Sequence, residues 1–229
     1  MREIPRLPPG AIDTHFHVFG PEAKYPYFAE RSYTPDDASI ESYLQMAGGL
    51  GVERAVIVQP SVYGSDNRLL LDTLSAAALP LRGIVAVDED IRDTDIDAMH
   101  EVGVRGIRIN LVYQSGTGLR TARRLAEKIR SRGWHLQFLI DASTLPDLFA
   151  VVEELGVAVV FDHIGHVPAS KGIQDSGFQA LLALLRNGLA WVKISGAYRM
   201  TALCGSPPYP DVTPFAAAAI AANPEQVVW

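Results

Sequence analysis

Asp13-Thr-His15-Phe-His17 is the segment whose residue types and spacing are best suited to chemistry. Side chains alternate along a strand, so residues two apart share a face. A strand here therefore predicts Asp13, His15 and His17 pointing the same way. Two imidazoles side by side suit a divalent metal ion, or a carbonyl group to be polarised. The plain alternative is a chance histidine pair beside a loop. Phe161-Asp162-His163-Ile-Gly-His166 ends a second apolar run. His163 falls at the C-terminal end of that run, as His15 and His17 do at theirs. A histidine donating to a backbone carbonyl would look the same in sequence. His166 reads as a supporting or substrate contact, or as an ordinary loop residue. Three of the six histidines thus fall on one predicted rim. His100 and His135 lie on the opposite side and read as structural.

Arginines come next. Arg108 and Asn110 end another apolar run, and Arg199 follows a later one. An arginine on a buried rim needs a paired acid or an anionic ligand. The functional reading is a fork for a substrate carboxylate. The structural one is a salt bridge with a rim acid such as Asp88 or Asp141. Gln114-Ser-Gly116-Thr-Gly118-Leu-Arg120 places glycines before a helix start, where backbone amides can cradle an anion. A lone Gly-x-Gly is weak support for that, and an ordinary loop fits as well. Cys204 carries no signature of a catalytic thiol. The Ala216–Ala222 stretch reads as a closely packed small-residue helix.

The elements that must position these residues recur along the chain. An amphipathic segment runs into glycine, then into a short run rich in Val and Ile. Gly51, Gly103, Gly133, Gly156 and Gly188 each precede such a run. Glycine just past a helix takes the left-handed conformation that stops it. The continuous apolar runs read as strands buried on both faces, as in parallel sheets. Asp66-Asn67 is expected to cap a helix over Arg68 to Ala78, and Thr94 one running through His100. Thr121 to Arg130, Leu145 to Leu155, Phe178 to Arg186 and Pro214 to Ala222 fit further helices. Pro146 and Pro214 then sit in first turns. About seven strands follow, and an eighth begins at Val227-Val228-Trp229. Strict β–α alternation favours a parallel α/β sheet, either a closed (β/α)8 TIM barrel or an open doubly wound sheet. Long loops from Gly20 to Pro35 and from Ala202 to Pro210 follow strand C-terminal ends, where a barrel builds its site. No internal domain boundary is visible, so residues 1–229 read as one domain.

Composition narrows the function classes. The chain has 229 residues, 48% hydrophobic and 20% charged, which excludes disordered and fibrous classes. Its net charge of −6 gives no electrostatic footprint for nucleic acid. One cysteine excludes an internal disulfide and a cysteine zinc cage. No apolar run reaches the ~20 residues of a membrane span. The expectation is a soluble, cytoplasmic protein.

The motifs together resemble one family. Asp13-Thr-His-Phe-His-Val-Phe-Gly-Pro21, Tyr33-Thr-Pro35, Val58-Gln59, Asp66-Asn67-Arg68, Gly103-Val-Arg-Gly-Ile-Arg108, Asp162-His163-Ile-Gly165 and Lys193-Ile-Ser195 are similar to the amidohydrolase superfamily. The likeness is to its amidohydrolase-related branch, which contains 2-pyrone-4,6-dicarboxylate lactonase and sugar-acid lactonases. It spans essentially the whole chain, in order. It implies a (β/α)8 barrel that hydrolyses the lactone ring of a small carboxylated, anionic substrate. It implies that His15, His17 and His163 polarise the scissile carbonyl, either with no cofactor or with zinc held at these positions. It also implies that Tyr33, Arg108 and Arg199 contact substrate carboxylates, and that Ser61 and Tyr63 lie in the loop framing the ring.

The chain departs from that pattern in four places. Gln114 stands where the pyrone lactonase has a carboxylate-binding arginine, Tyr63 where it has a histidine, and Leu139 where it has a tyrosine. A sugar-acid lactone is therefore as good a candidate substrate as a dicarboxylated pyrone. In the family the eighth strand runs on past Val-Val-Trp into Gly-Thr-Asp-Trp-Pro-His, whose aspartate is the general base. This sequence stops at Trp229, so the expectation is an eighth strand cut short and activity reduced by the ~10²–10⁴-fold a general base contributes. Two other functions stay open. One is a zinc-dependent decarboxylase of the same superfamily, although Gln137 and Leu139 occupy the inward positions where a fifth-strand histidine would sit. The other is a degenerate barrel that binds carboxylates without turnover.

Overall fold

The computed structural model describes residues 6–110, 118–145, 147–203 and 207–229. Gln114 and Gly116 of the glycine-containing loop, Pro146 and Cys204 lie outside these residues. The strands are β1 (Ile12–Phe16), β2 (Arg54–Val58), β3 (Leu81–Val85), β4 (Val104–Asn110), β5 (His135–Leu139), β6 (Val159–Phe161), β7 (Trp191–Lys193) and β8 (Val227–Val228). The α-helices are α1 (Ile40–Leu50), α2 (Arg68–Ala76), α3 (Asp93–Glu101), α4 (Gly118–Ile129), α5 (Leu148–Leu155), α6 (Ser176–Arg186), α7 (Ala197–Met200) and α8 (Thr213–Ala222). Eight parallel strands follow one another in sequence order, with helices between them. This is a TIM-barrel-like (β/α)8 α/β fold. No helix among the described residues is long and apolar enough to cross a membrane.

The chain divides into two compact units, Met1–Arg108 and Ile109–Trp229. In the first, β1 pairs with β2, β2 with β3 and β3 with β4, all parallel. Ile57, Ile84, Val85, Val104 and Ile107 are buried, as strands covered on both faces require. In the second, β5 pairs with β6, β6 with β7 and β7 with β8. Its core is built on Trp134, Leu136, Phe161, Phe178 and Phe215, with the last two rings 4.8 Å apart.

Glycine punctuation falls where the sequence places it. Gly51, Gly133 and Gly156 close their helices in the left-handed region. Helix starts are less regular. The expected cap of α3, Thr94, lies inside the first turn, and Arg92 takes the cap position. The reason is electrostatic. Arg92 forks onto Asp95 at 2.9 and 2.7 Å, and Asp93 and Asp95 place negative charge at the helix's positive end. Asn67 precedes α2 without capping it by its side chain. Its amide instead donates to Ala86 O and accepts from Ala86 N, tying the helix start to the end of β3.

Helix α6 begins against the chain after β5. Asp175 caps it by accepting from Gly177 N and Phe178 N. A Cβ at Gly177 would land inside the Ala142 carbonyl, which is backbone and cannot swing aside. Gly177→Ala is therefore expected to destabilise the protein by at least ~1–3 kcal/mol. A urea midpoint equal to that of the parent protein would contradict this packing.

Candidate active site

The first unit carries the histidine pair on an irregular strand. Asp13 pairs with Ala55 and Phe16 with Ile57, so β1 holds one residue more than β2 over this stretch. Such a bulge shifts the side-chain alternation by one. Asp13 and Phe16 are three apart, yet both meet Tyr43 of α1. The Tyr43 hydroxyl donates to Asp13 Oδ2 at 2.9 Å, and its ring stacks on Phe16 at 3.6 Å. A regular pleat would send those two residues to opposite faces. The expectation that Asp13 points with His15 and His17 is thereby corrected. Its carboxylate serves the helix instead, and its other oxygen accepts from His15 N at 2.9 Å. Burial, then the Asp13 charge, pushes the Tyr43 hydroxyl above the ordinary tyrosine range.

His15 and His17 do come together. Their Nε2 atoms are 3.3 Å apart and their rings meet edge to face. His17 Nδ1 lies 2.7 Å from Val58 O at the end of β2. A carbonyl oxygen only accepts, so Nδ1 carries the proton and His17 Nε2 keeps a lone pair. Metal-binding histidines are oriented in this way, through the ring nitrogen that does not touch the metal. A tetrahedral zinc with nitrogens at about 2.0–2.1 Å spans an N···N edge of roughly 3.3–3.4 Å. The pair fits such an ion.

The loop after β1 is a packed wall. Tyr25, Val62 and Tyr63 form a buried cluster, against which Phe19, Tyr27 and Leu69 pack. Phe28 N donates to Val62 O, and Gly20 N donates to the Tyr63 hydroxyl at 2.8 Å. Tyr63 stacks on Tyr27, and burial pushes its hydroxyl well above the usual range. Tyr63 thus fastens the loop, while Ser61 beside it is half-buried and Tyr33 is 44% exposed. Arg108 is half-buried and donates to Gln59 O at 3.1 Å; Gln59 in turn holds Gly64 O and Asp66 O.

The second unit carries His163 immediately after β6. Residues 163, 164, 165 and 166 all have positive φ, 51°, 55°, 67° and 57°. Left-handed backbone costs a non-glycine residue roughly 1–2 kcal/mol, and such outliers cluster at functional sites. His163 Nδ1 lies 3.0 Å from Ser195 Oγ. Arg199 is exposed on α7, where its Nε donates to the Tyr198 hydroxyl at 2.9 Å and its guanidinium covers that ring. The premise that Arg199 sits on a buried rim is corrected.

Beneath His163 lies a polar group that the sequence reading passed over. Asp162, Lys193 and Gln137 are 0%, 3% and 1% exposed. Gln137 Nε2 donates to Asp162 Oδ1 at 2.8 Å, and Lys193 Nζ donates to Gln137 Oε1 at 2.9 Å and lies 3.5 Å from Asp162 Oδ1. A lysine in the middle of the apolar run Trp191-Val-Lys-Ile was the available signal, because buried charges are almost always paired. Gln137 is thus committed to the network at the position where a fifth-strand metal ligand would sit.

A model of the amidohydrolase family matches residues 12–229. The chain is 35% identical over 233 residues to a 2-pyrone-4,6-dicarboxylate hydrolase of Comamonas testosteroni, covering 98% of this chain and 76% of that protein. It is 34% identical over 226 residues to a 4-sulfomuconolactone hydrolase of Hydrogenophaga intermedia, covering 97% and 74%. A crystal structure of a candidate 2-pyrone-4,6-dicarboxylic acid hydrolase from Pseudomonas putida superposes with a TM-score of 0.83 at 35% identity, covering 97% of this chain and 82% of that one.

Proposed function

The chain belongs to the amidohydrolase family, and from that premise we propose that it is a hydrolase opening the lactone ring of a small carboxylated substrate. The observation that carries this reading is the His15–His17 pair, its Nε2 atoms 3.3 Å apart and His17 locked by Val58 O. Water adds to the ring carbonyl carbon, and negative charge gathers on the carbonyl oxygen. The acyl–oxygen bond then breaks; one proton of the water passes to the departing ring oxygen, which becomes a hydroxyl group, and the other is released, leaving a carboxylate. His15 and His163 are assigned to that developing oxyanion, where fixed donors or cations act most strongly, and His17, with a lone pair on Nε2, to holding the His15 ring or a zinc ion beside it. Arg108, with its guanidinium fastened by Gln59 O, is assigned to a substrate carboxylate, and Arg199 and Tyr33 to the substrate's exposed side. Ser61, half-buried beside Tyr63, is assigned to the frame of the ring, and Tyr63 to holding the loop in place.

A zinc ion held by His15 and His17 would supply Lewis-acid polarisation of the carbonyl. The protein's own residues orient both parts of the chemistry. The Asp13 carboxylate fixes the His15 backbone, and Val58 O fixes the His17 ring. The relatives named for a pyrone dicarboxylate and for a sulfonated muconolactone both act on anionic rings, which supports an anionic lactone here.

The test is a panel of carboxylated lactones, including pyrone dicarboxylate, sulfomuconolactone and sugar-acid lactones. Ring opening is followed by proton release, alongside metal analysis of the purified protein. Opening of at least one ring, abolished by His15→Ala, is the expected result. Release of carbon dioxide from a carboxylated substrate with every lactone left intact would overturn the reading.

A further inference from the structure

We propose that Ser195 is the positioning residue for His163, holding its ring by Nδ1 and admitting the tautomer protonated on Nε2. The inference rests on the reading that His163 acts on the lactone carbonyl. Three contacts from the segment around β7 converge on two consecutive residues after β6. Lys193 reaches Asp162 Oδ1 at 3.5 Å, Ser195 Oγ meets His163 Nδ1 at 3.0 Å, and Gly196 packs on the ring. A Cβ at Gly196 would lie 2.6 Å from both Cγ and Nδ1 of His163, so the chain passes closer there than any side chain allows. The His163 ring is thereby held at its Nδ1 edge.

The two anchored histidines differ in kind. His17 faces a carbonyl oxygen, which accepts only and fixes its proton on Nδ1. His163 faces a hydroxyl, which both donates and accepts. To polarise a carbonyl directly, His163 must offer an N–H to the oxygen. Ser195 allows this by donating its hydroxyl proton to Nδ1, which places the imidazole proton on Nε2. A carbonyl or carboxylate in its place would force the opposite tautomer. No bond is made or broken at Ser195 itself.

The experiment combines kinetics with nitrogen NMR of the chelator-treated protein. In the parent protein, long-range ¹H–¹⁵N correlation is expected to show His163 as one neutral tautomer, protonated on Nε2. Ser195→Ala should mix the tautomers and lower kcat about 10- to 100-fold, the usual effect of losing a histidine's orienting partner. KM should stay close to the parent value, because the lost interaction acts on the transition state. Ser195→Thr, which keeps the hydroxyl, should restore both the tautomer and most of kcat. A His163 pattern unchanged in Ser195→Ala, a parent protein protonated on Nδ1, or a loss confined to KM would each overturn the proposal. If no lactone on the panel is opened, the function reading fails, while the tautomer pattern still decides the role of Ser195.

Discussion

His17→Ala is expected to lower kcat for lactone opening by about 10- to 100-fold, the effect of removing the group that orients an acting histidine or holds its metal. The size follows from how firmly the ring is set. His17 Nδ1 donates to Val58 O at 2.7 Å, so the ring loses no reorganisation energy when charge develops beside it. His15 stays behind in the variant, yet its Nε2 loses the partner 3.3 Å away. Should zinc act there, the same substitution removes one of its ligands, and metal content falls with activity. Folding should change little, because His17 is only half-buried and Val58 O loses a single hydrogen bond, worth about 1 kcal/mol. His100→Ala on α3 serves as the control, expected to keep full activity. Steady-state kinetics with circular dichroism checks both variants. A His17→Ala protein turning over at the parent rate would remove the pair from the mechanism.

The largest stability effect is expected at Lys193→Met. The substitution keeps the volume and removes the charge. It leaves Asp162, fully buried, with the Gln137 amide at 2.8 Å but without the Lys193 ammonium. Breaking one side of a buried ion pair typically costs ~3–5 kcal/mol. For a chain of this size that corresponds to a fall of roughly 6–20 °C in Tm. Replacing both charges in Lys193→Met/Asp162→Asn should recover much of the loss, since the penalty lies in a buried carboxylate stripped of its ammonium rather than in the missing attraction. Calorimetry of the two variants separates these outcomes. A double variant less stable than the single one would mean that the pair is net stabilising and that desolvation is not what dominates here.

Much of the fold was legible because it rests on local physics. Apolar runs of strand length behind left-handed glycines marked β2 and β4 to β7, and each is a strand in the structure. Helix starts were less legible. Thr94 looked like a cap, but the Arg92–Asp95 fork decided the boundary. The histidines were legible from spacing alone, since strand ends need no tertiary knowledge. Their partners were not. Val58 O and Ser195 Oγ lie 41 and 32 residues away from the rings they hold. Only strand pairing brings them close, and no single-residue signal encodes it. Asp13 was misplaced for a related reason. Alternation assumes a regular pleat, whereas a bulge is a relation between two strands and cannot be read from one.

That bulge has a consequence of another kind. The bulge decides which residues of β1 turn together, with Asp13 level with Ala55 but Phe16 level with Ile57. The count of residues in this stretch is therefore part of the instruction, separate from their chemistry. His15, Phe16 and His17 could all be kept and their setting against β2 still lost, by deleting the one extra residue between Asp13 and Phe16. Phe16 would then exchange its seat on Tyr43 for the other face, and the imidazoles would turn with it. Any redesign of this rim has to hold length fixed before it chooses residues.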